Sequence, residues 1–217
     1  MVDRGVSGSP MSRIDERDEF LALLRDAQEN DVEIMERRVV GVELVDADLS
    51  RVCFRETVFE NCKFVDCLFE KTDFIECEMK VCDLSGGRME SAYLRGSVFE
   101  ACKAVGILVN DCVWKECVIR GSNFQIASFD RTKFEKLCVA DSNLSHGSLS
   151  ECTFKGFDAA EVDLAGTVFS RTLLQGVDLT SCNIEGIAAS GAELKGAVVT
   201  IMQAAELAML LGVVIKE

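Results

Sequence analysis

Cysteine is the residue type in this sequence with the widest choice of chemistry, because thiols bind metals, form disulfides and act as nucleophiles. The chain contains eleven cysteines. Nine of them are separated from one another by multiples of five residues, whereas the paired ligands of zinc sites lie roughly two to four residues apart. We therefore predict that these thiols stay reduced, pack inside the protein and bind no metal. They are Cys62, Cys67, Cys77, Cys82, Cys102, Cys112, Cys117, Cys152 and Cys182.

The sequence gives little support to catalysis. Its single histidine, His146, has no nucleophile or carboxylate placed beside it by a recognisable motif. No phosphate-binding loop, dinucleotide-binding fingerprint, nucleophile elbow or metalloprotease motif occurs. We therefore expect a binding protein that uses no cofactor, and not an enzyme.

The elements that position these residues follow from a five-residue period, which matches neither an α-helix nor a β-strand. From Leu44 to Val199 every fifth residue is apolar, and the residue two places before it is small or apolar. No charged residue occupies either position, so both are expected to point inward. In two units the sizes are exchanged, because Phe157 and Ile187 take the small position and Ala159 and Ala189 the central one.

These units resemble the pentapeptide-repeat family, whose unit is A(D/N)LXX with a central Leu or Phe. The match is direct at residues 47–51 (Ala-Asp-Leu-Ser-Arg), 122–126 (Ser-Asn-Phe-Gln-Ile) and 162–166 (Val-Asp-Leu-Ala-Gly). The resemblance implies an all-β fold, a right-handed quadrilateral β-helix in which four units form one coil. Residues 34–201 would then form about eight coils, with Cys62, Cys82 and Cys102 stacked one coil apart.

Both ends of such a solenoid need a cover, because each terminal coil otherwise exposes its core. Residues 1–11 are expected to be a disordered leader or tag. Residues 12–33 are expected to contain an N-terminal capping helix, with Phe20, Leu21 and Leu24 on its apolar side.

Residues 202–217 are predicted to form a C-terminal helix, begun by a capping box of Thr200 and Gln203, and then a short strand. This helix is apolar around most of its circumference, which exceeds what a cover alone requires and favours a homodimer interface. The segment 213–215 could add a strand across that interface. The expected dimerisation residues are Met202, Ala205, Leu207, Ala208, Met209, Leu210 and Leu211.

The formal charge of −14 argues against direct binding to nucleic acid or to an anionic membrane. The acids concentrate on two neighbouring faces of the expected coil. The first acidic face consists of the units whose central residues are Leu44, Phe64 and every twentieth residue after them. The second consists of the units whose central residues are Phe59, Met79 and every twentieth residue after them. The candidate partner-binding residues are Glu43, Asp46, Glu60, Asp66, Glu78, Asp83, Glu100, Asp141, Asp158, Glu161, Asp163, Asp178 and Glu185.

The end of the chain resembles the Qnr-type and MfpA-like quinolone-resistance proteins within the pentapeptide-repeat family. The similar residues are Gly-Ala-Val-Val at 196–199, Gln-Ala-Ala-Glu-Leu at 203–207 and Leu-Leu-Gly at 210–212. This resemblance implies a homodimeric rod that mimics duplex DNA and binds DNA gyrase or topoisomerase IV, inhibiting the enzyme or protecting it from fluoroquinolones. The chain lacks the projecting loops of some Qnr proteins, which favours inhibition.

A different class of function stays open at this point. The acidity could serve solubility alone, with the protein acting as a structural scaffold or regulatory module that has no topoisomerase role. The sequence contains no apolar run of about twenty residues and no secretory leader, so a cytoplasmic location is expected in either case.

Overall fold

A computed structural model describes residues 11–210 and 212–216. It shows a parallel β-solenoid of about seven turns, where the sequence predicted about eight, with a helix at each end, and it confirms the predicted pentapeptide-repeat β-helix. The helices are α1 (Arg17–Asn30) and α2 (Ile201–Leu210). The strands are β1 (Ser12–Ile14), β2 (Ile34–Met35), β3 (Arg37–Val40), β4 (Glu43–Val45), β5 (Cys53–Arg55), β6 (Val58–Glu60), β7 (Lys63–Val65), β8 (Asp73–Ile75), β9 (Glu78–Lys80), β10 (Arg88–Glu90), β11 (Tyr93–Arg95), β12 (Val98–Glu100), β13 (Leu108–Asn110), β14 (Val113–Lys115), β15 (Val118–Arg120), β16 (Ser128–Asp130), β17 (Lys133–Ala140), β18 (Ser148–Ser150), β19 (Thr153–Ala160) and β20 (Val168–Ser170).

The repeat length sets the strand register, because four units of five residues bring the chain back to the same face. Phe54 pairs with Phe74, and Leu94 pairs with Trp114, each across twenty residues. The second acidic face carries β3, β6, β9, β12 and β15. The first acidic face carries β4 and β7 and continues through isolated bridges as far as Asp163 and Asn183. A five-stranded face, β10-β13-β16-β18-β20, lies opposite the second acidic face.

The central residue of each unit fills the lumen, where aromatic rings stack from coil to coil. Phe54 and Phe74 lie with ring centroids 5.3 Å apart and nearly parallel planes. Trp114 is fully buried and stacks on Phe99 at 5.2 Å. The rings form two stacked groups, at residues 20–74 and 99–157, and the buried aliphatic residues Met79, Leu84, Met89 and Leu94 fill the lumen between them.

In many units a hydroxyl or thiol on the small inward residue ties the coil to the preceding one. Thr72 Oγ1 donates to the carbonyl oxygen of Leu49 at 2.9 Å, and Cys102 Sγ donates to that of Met79 at 3.2 Å. Both acceptors lie twenty-three residues earlier in the chain. Because Ser, Thr and Cys can all make this bond, a buried polar side chain is satisfied at this position. All nine cysteines predicted to lie inside are buried and unpaired with one another by disulfides.

In most units the last residue forms the corner and adopts a left-handed backbone. Gly86 has a φ of 69°, which glycine tolerates without steric cost. Many corners hold other residue types, including the β-branched Val81 and Ile126 at φ values of 55° and 53°. The Asp or Asn before the central residue supports the turn, as where Asp83 Oδ1 accepts the backbone N–H of Ser85 at 3.0 Å. This bond gives a physical reason for the D/N preference in the repeat.

The N-terminal coil is covered by α1, as predicted. Phe20 is fully buried and its ring lies 6.0 Å from the ring of Phe64 and 6.5 Å from that of Phe54. The sequence did not indicate β1, which pairs in parallel with β3 so that Ile14 lies opposite Val39. The predicted leader lies, apart from Met11, outside the described residues.

The C-terminal helix begins at the predicted capping box. The Thr200 N–H donates to Gln203 Oε1 at 2.8 Å, and the Gln203 N–H donates to Thr200 Oγ1 at 3.2 Å. Gln203 Nε2 also donates to the carbonyl oxygens of Leu179 and Cys182, which joins the helix to the last coils. Within the single chain, residues 213–216 form no strand, so a strand across a dimer interface stays a prediction.

The inward and outward assignment fails in one unit near the C-terminal end. Ala192, expected inside, is exposed, whereas Glu193, expected outside, is 8% exposed. The cause is a helical turn in which the Leu194 N–H donates to the carbonyl oxygen of Ser190. The Glu193 carboxylate accepts the backbone N–H groups of Arg171 and Ser190 at 2.8 and 2.9 Å. It therefore replaces a carbonyl oxygen in the coil-to-coil ladder.

Candidate protein-binding surface

Most cysteines of the lumen have no features of a reactive site, whereas a hydrogen bond with the Cys82 thiol lowers the pKa of the buried Cys62 and Cys102. Burial raises the pKa of Cys77 to about 12 and that of Cys117 to about 11. Because the thiolate is the nucleophile and the metal ligand, thiols with raised pKa values are poor at both roles. Cys82 contacts the thiols of Cys102 and Cys62, as the predicted stack requires, and these contacts together with burial raise its pKa.

Neither a metal centre nor a catalytic pair is evident in the described part of the chain. No group of three or more His, Cys, Asp or Glu side chains there is arranged to hold a metal ion. His146 occupies an exposed corner, and its ring lies over the Cα of Gly166 in the next coil. The described residues include no helix long and apolar enough to cross a membrane.

The candidate acids lie on two adjacent faces of the solenoid, because the second acidic face leads directly into the first along the chain. All thirteen are exposed or half-buried, and none lies in the lumen. The strand register places each outward residue opposite the equivalent residue one coil away, so that Glu60 lies opposite Lys80 and Glu100 opposite Arg120. The structure therefore determines which acids have a basic neighbour.

Four of these acids form ion pairs, and all four belong to the N-terminal half of the solenoid. Lys63 Nζ lies 2.6 Å from Glu43, and Lys103 Nζ lies 3.2 Å from Asp83, in each case one coil away. The other two pairs are Arg38 with Glu60 at 2.8 Å and Lys80 with Glu78 at 2.5 Å. Exposed pairs contribute little to stability, but each one cancels the charge of an acid at the surface.

The pKa values of these paired groups agree with charge compensation. A hydrogen bond to Glu43 raises the pKa of Lys63. Partial burial raises the pKa of Asp83, but hydrogen bonds from Ser85 and the Lys103 ammonium group outweigh it and leave the pKa below its usual range. In both pairs the direction of the pKa shift is the one that contact between opposite charges produces.

The remaining nine acids have no ion-pair partner among the described residues. Six of them belong to the C-terminal half, and the list is Asp46, Asp66, Glu100, Asp141, Asp158, Glu161, Asp163, Asp178 and Glu185. We call the six from Asp141 onward the uncompensated strip. Asp178 is held in position by Thr180, whose hydroxyl and backbone N–H both donate to its carboxylate and lower its pKa.

An apolar surface lies beside this strip at the C-terminal end. In α2 only Leu207 is buried among the described residues, where it packs on the core of the solenoid, while Met202 is 75% and Met209 58% exposed. Ala205 and Ala208 are half-buried and Leu210 is exposed. Leu211, also expected at a dimer interface, lies outside the described residues. A cavity of about 610 Å³ separates part of α2 from residues 182–187.

Comparison with known families identifies the repeat. The family described as pentapeptide repeat region matches residues 54–129, and pentapeptide repeats (8 copies) matches residues 148–186 and 160–196. The chain belongs to the pentapeptide-repeat family. No curated protein matches it in sequence.

The chain is also similar to solved structures, and the match to full-length QnrB1 shows a shared fold. Full-length QnrB1, a plasmid-mediated fluoroquinolone resistance protein, is 21% identical with a TM-score of 0.52, and the match covers 93% of this chain and 95% of QnrB1. A trypsin-treated QnrB1 variant is 23% identical with a TM-score of 0.49, over 85% and 90% of the two chains. HetL from the cyanobacterium Nostoc sp. strain PCC 7120, involved in heterocyst differentiation regulation, is 16% identical with a TM-score of 0.36, over 82% and 95%.

Sequence reasoning found the acids of this pentapeptide-repeat protein but not their partners. Glu43 and Lys63, and likewise Asp83 and Lys103, are twenty residues apart, so a one-coil spacing was available as a sequence signal. The pair of Arg38 and Glu60 spans twenty-two residues and depends on side-chain direction, which the repeat does not encode.

Proposed function

We propose that this protein binds DNA gyrase or topoisomerase IV as a mimic of duplex DNA, and that it inhibits the enzyme or protects it from fluoroquinolones. The observation that carries the proposal is the uncompensated strip on two adjacent faces of a straight β-solenoid. A binding role also fits the pentapeptide-repeat fold, whose buried thiols and single exposed histidine offer no catalytic arrangement in the described chain.

The charge density of the strip supports this proposal. Its six acids lie between residues 141 and 185. That segment is about two coils, or about 10 Å of solenoid at roughly 4.8 Å per coil. The result is one negative charge per about 2 Å, close to the one charge per about 1.7 Å of duplex DNA. A basic groove that binds the DNA backbone would therefore meet a similar linear charge.

We further propose that the protein is a homodimer joined through α2. Exposed Met202 and Met209 and half-buried Ala205 and Ala208 supply an apolar surface that a second copy would bury. In such a dimer the two uncompensated strips would lie next to the interface, and together they would form a longer acidic rod.

A supercoiling assay with two matched variants tests the DNA-mimic proposal. The first variant neutralises four acids of the strip through D141N, E161Q, D163N and E185Q. The second neutralises the four paired acids through E43Q, E60Q, E78Q and D83N, which changes the net charge equally. We expect the unmodified protein to alter gyrase supercoiling with or without ciprofloxacin, and the strip variant to need at least about tenfold more protein for the same effect.

The two possible failures have different meanings. If the unmodified protein leaves supercoiling by gyrase and relaxation by topoisomerase IV unchanged at micromolar concentrations, the target is wrong. If both variants lose activity equally, net charge and not the arrangement of the strip determines binding. Light scattering of a variant with M202E and M209E tests the dimer, because a mass that stays dimeric would exclude α2 from the interface.

A scaffold that binds another protein is the second candidate function. The observation that favours it is a row on the five-stranded face in which the exposed apolar residues Leu68, Leu108 and Val168 share equivalent positions with Arg88, Ser128 and Ser148 of the coils between them. This row lies opposite the second acidic face and is separate from the uncompensated strip. A scaffold role predicts that partner binding survives neutralisation of the strip and is lost when the three apolar residues are changed to Ser.

A further inference from the structure

The hydrogen-bond ladder of the solenoid is interrupted between β19 and the coil that follows it. One edge of β19 pairs with β17 along its length, from Thr153 opposite Lys133 to Ala160 opposite Ala140. Across the described chain, no backbone hydrogen bond joins the other edge of β19 to residues 173–180. In other coils the equivalent N–H groups donate to carbonyl oxygens of the next coil, as those of Leu164 and Gly166 do. The backbone N–H groups of Phe154, Gly156 and Ala159 have no such carbonyl partner among the described residues.

The interruption is confined to two of the four faces. On the other two faces stacking continues, because Asp163 bridges to Asn183 and Val168 bridges to Ala188. At the end of β19 the Glu161 N–H donates to Ser181 Oγ at 3.3 Å. One coil earlier the equivalent N–H, that of Asp141, donates to a backbone carbonyl oxygen at 3.0 Å. The last coils therefore open as a wedge over β19.

The opening exposes an apolar floor. Phe154, Phe157 and Ala159 are only half-buried, whereas the equivalent residues one coil earlier, Phe134, Leu137 and Val139, are buried. The rings of Phe154 and Phe157 stack on each other at 4.7 Å. The predicted exchange of sizes between Phe157 and Ala159 is present, and it lies at this cleft.

The cleft has the dimensions and charge of a binding site for an extended chain. Its volume is about 290 Å³, and its walls carry the carboxylates of Asp158 and Asp178 but no lysine or arginine. Asp178 is oriented by Thr180, so its charge has a defined position. An unpaired strand edge with an apolar floor is the feature used in strand addition, where backbone bonds provide affinity and alternate side chains provide specificity.

We propose that this cleft is a binding site for an extended peptide segment of a partner protein, added as a strand to β19. The segment carries an apolar side chain directed at Phe157 and Ala159, and a lysine or arginine beside it that meets Asp158 or Asp178. Charge complementarity selects this occupant, since the cleft offers two carboxylates and no base. Asp158 and Asp178 also belong to the uncompensated strip, but the supercoiling test leaves both unchanged, so the two proposals can fail separately.

Hydrogen exchange of the free protein tests the open edge. The amides of Phe154, Gly156 and Ala159 should exchange at least about a hundredfold faster than those of Phe134, Lys136 and Val139, whose edge is paired with β19. Equal protection in the two strands at all protein concentrations would show that the ladder is closed and would overturn the proposal. If the β19 amides are protected from exchange only at high protein concentration, and the M202E and M209E variant loses that protection, the cleft is occupied by a second copy of this chain. That result would also overturn the proposal.

A peptide probe tests the occupant. A fluorescein-labelled heptapeptide of alternating lysine and valine should bind and slow exchange at Phe154, Gly156 and Ala159 by at least about tenfold. The D158N and D178N double variant should weaken binding about fivefold to tenfold, whereas E36Q with E90Q, two exposed acids away from the cleft, should not. Equal binding of a glutamate and valine peptide, or binding without protection of β19, would overturn the proposal. So would no binding at millimolar concentration.

Discussion

Removal of the Phe20 ring should open the N-terminal end of the solenoid. The ring is fully buried and lies within 6.5 Å of the rings of Phe54, Phe59 and Phe64. Substitution of a buried phenylalanine by alanine costs about 3 to 5 kcal/mol, and three aromatic neighbours place Phe20→Ala near 4 kcal/mol. Because each coil of a solenoid contacts only its neighbours, the loss should act first on the coils nearest α1.

Urea unfolding and amide exchange together measure this effect. We expect the free energy of unfolding to fall by about 4 kcal/mol and the amides of Val39 and Phe59 to exchange faster than those near Trp114. Arg25→Ala, an exposed change on the same helix, is the control and should alter stability by less than about 0.5 kcal/mol. If Phe20→Ala costs less than about 1 kcal/mol, α1 does not cover the core and the capping interpretation is wrong.

Three further predictions follow from the corners, the thiols and the buried carboxylate. Val81→Gly should raise the free energy of unfolding by about 0.5 kcal/mol, because it removes a β-branched side chain from a left-handed corner. Gly121→Ala should lower the free energy of unfolding by about 1 kcal/mol, because it adds a side chain at a φ of 55°. Urea unfolding measures both changes. Ellman's reagent should modify at most Cys53 and Cys138 in the native protein, and all eleven cysteines after unfolding. Hydrogen bonds from Ser190 and from the Arg171 backbone lower the pKa of Glu193 to about 2, so its stabilisation is complete above about pH 5 and is lost as pH falls towards 2. Glu193→Gln should therefore lower the thermal unfolding temperature at pH 7, and the difference should vanish near pH 2.

The lumen could be predicted from the sequence because burial in this fold depends on position in a five-residue unit. The same period assigned the inward cysteines and the stacking of residues twenty apart. It predicted Ile34 and Val39 as members of the repeat, and both are buried in strands that pair with the next coil. A constraint that acts on every unit leaves a pattern that one sequence is enough to show.

The local departures could not be predicted, because the period continues through them. The Glu193 carboxylate is buried and accepts hydrogen bonds because Ser190 and the residues after it form a helical turn. In the sequence the five-residue period is unbroken here, since Leu194 is at the expected central position. The cleft beside β19 likewise has no interruption in sequence. There the two adjacent large rings of Phe154 and Phe157 occupy one coil where the preceding coil has Phe134 and Leu137.

The same separation between inside and outside explains where functional information resides in this protein. The choice of residues in the lumen is constrained only by side-chain volume and hydrogen bonding. Similar lumen residues are therefore expected in a solenoid of this fold whatever partner it binds. Outward residues contribute to recognition only where the coil above or below does not neutralise them, as Lys63 neutralises Glu43. A count of acids per face therefore overestimates the surface available to a basic groove. The C-terminal half, with its uncompensated strip, its exposed helix α2 and its open edge at β19, is the part of the molecule where a partner would find unsatisfied charge, apolar surface and free backbone groups together.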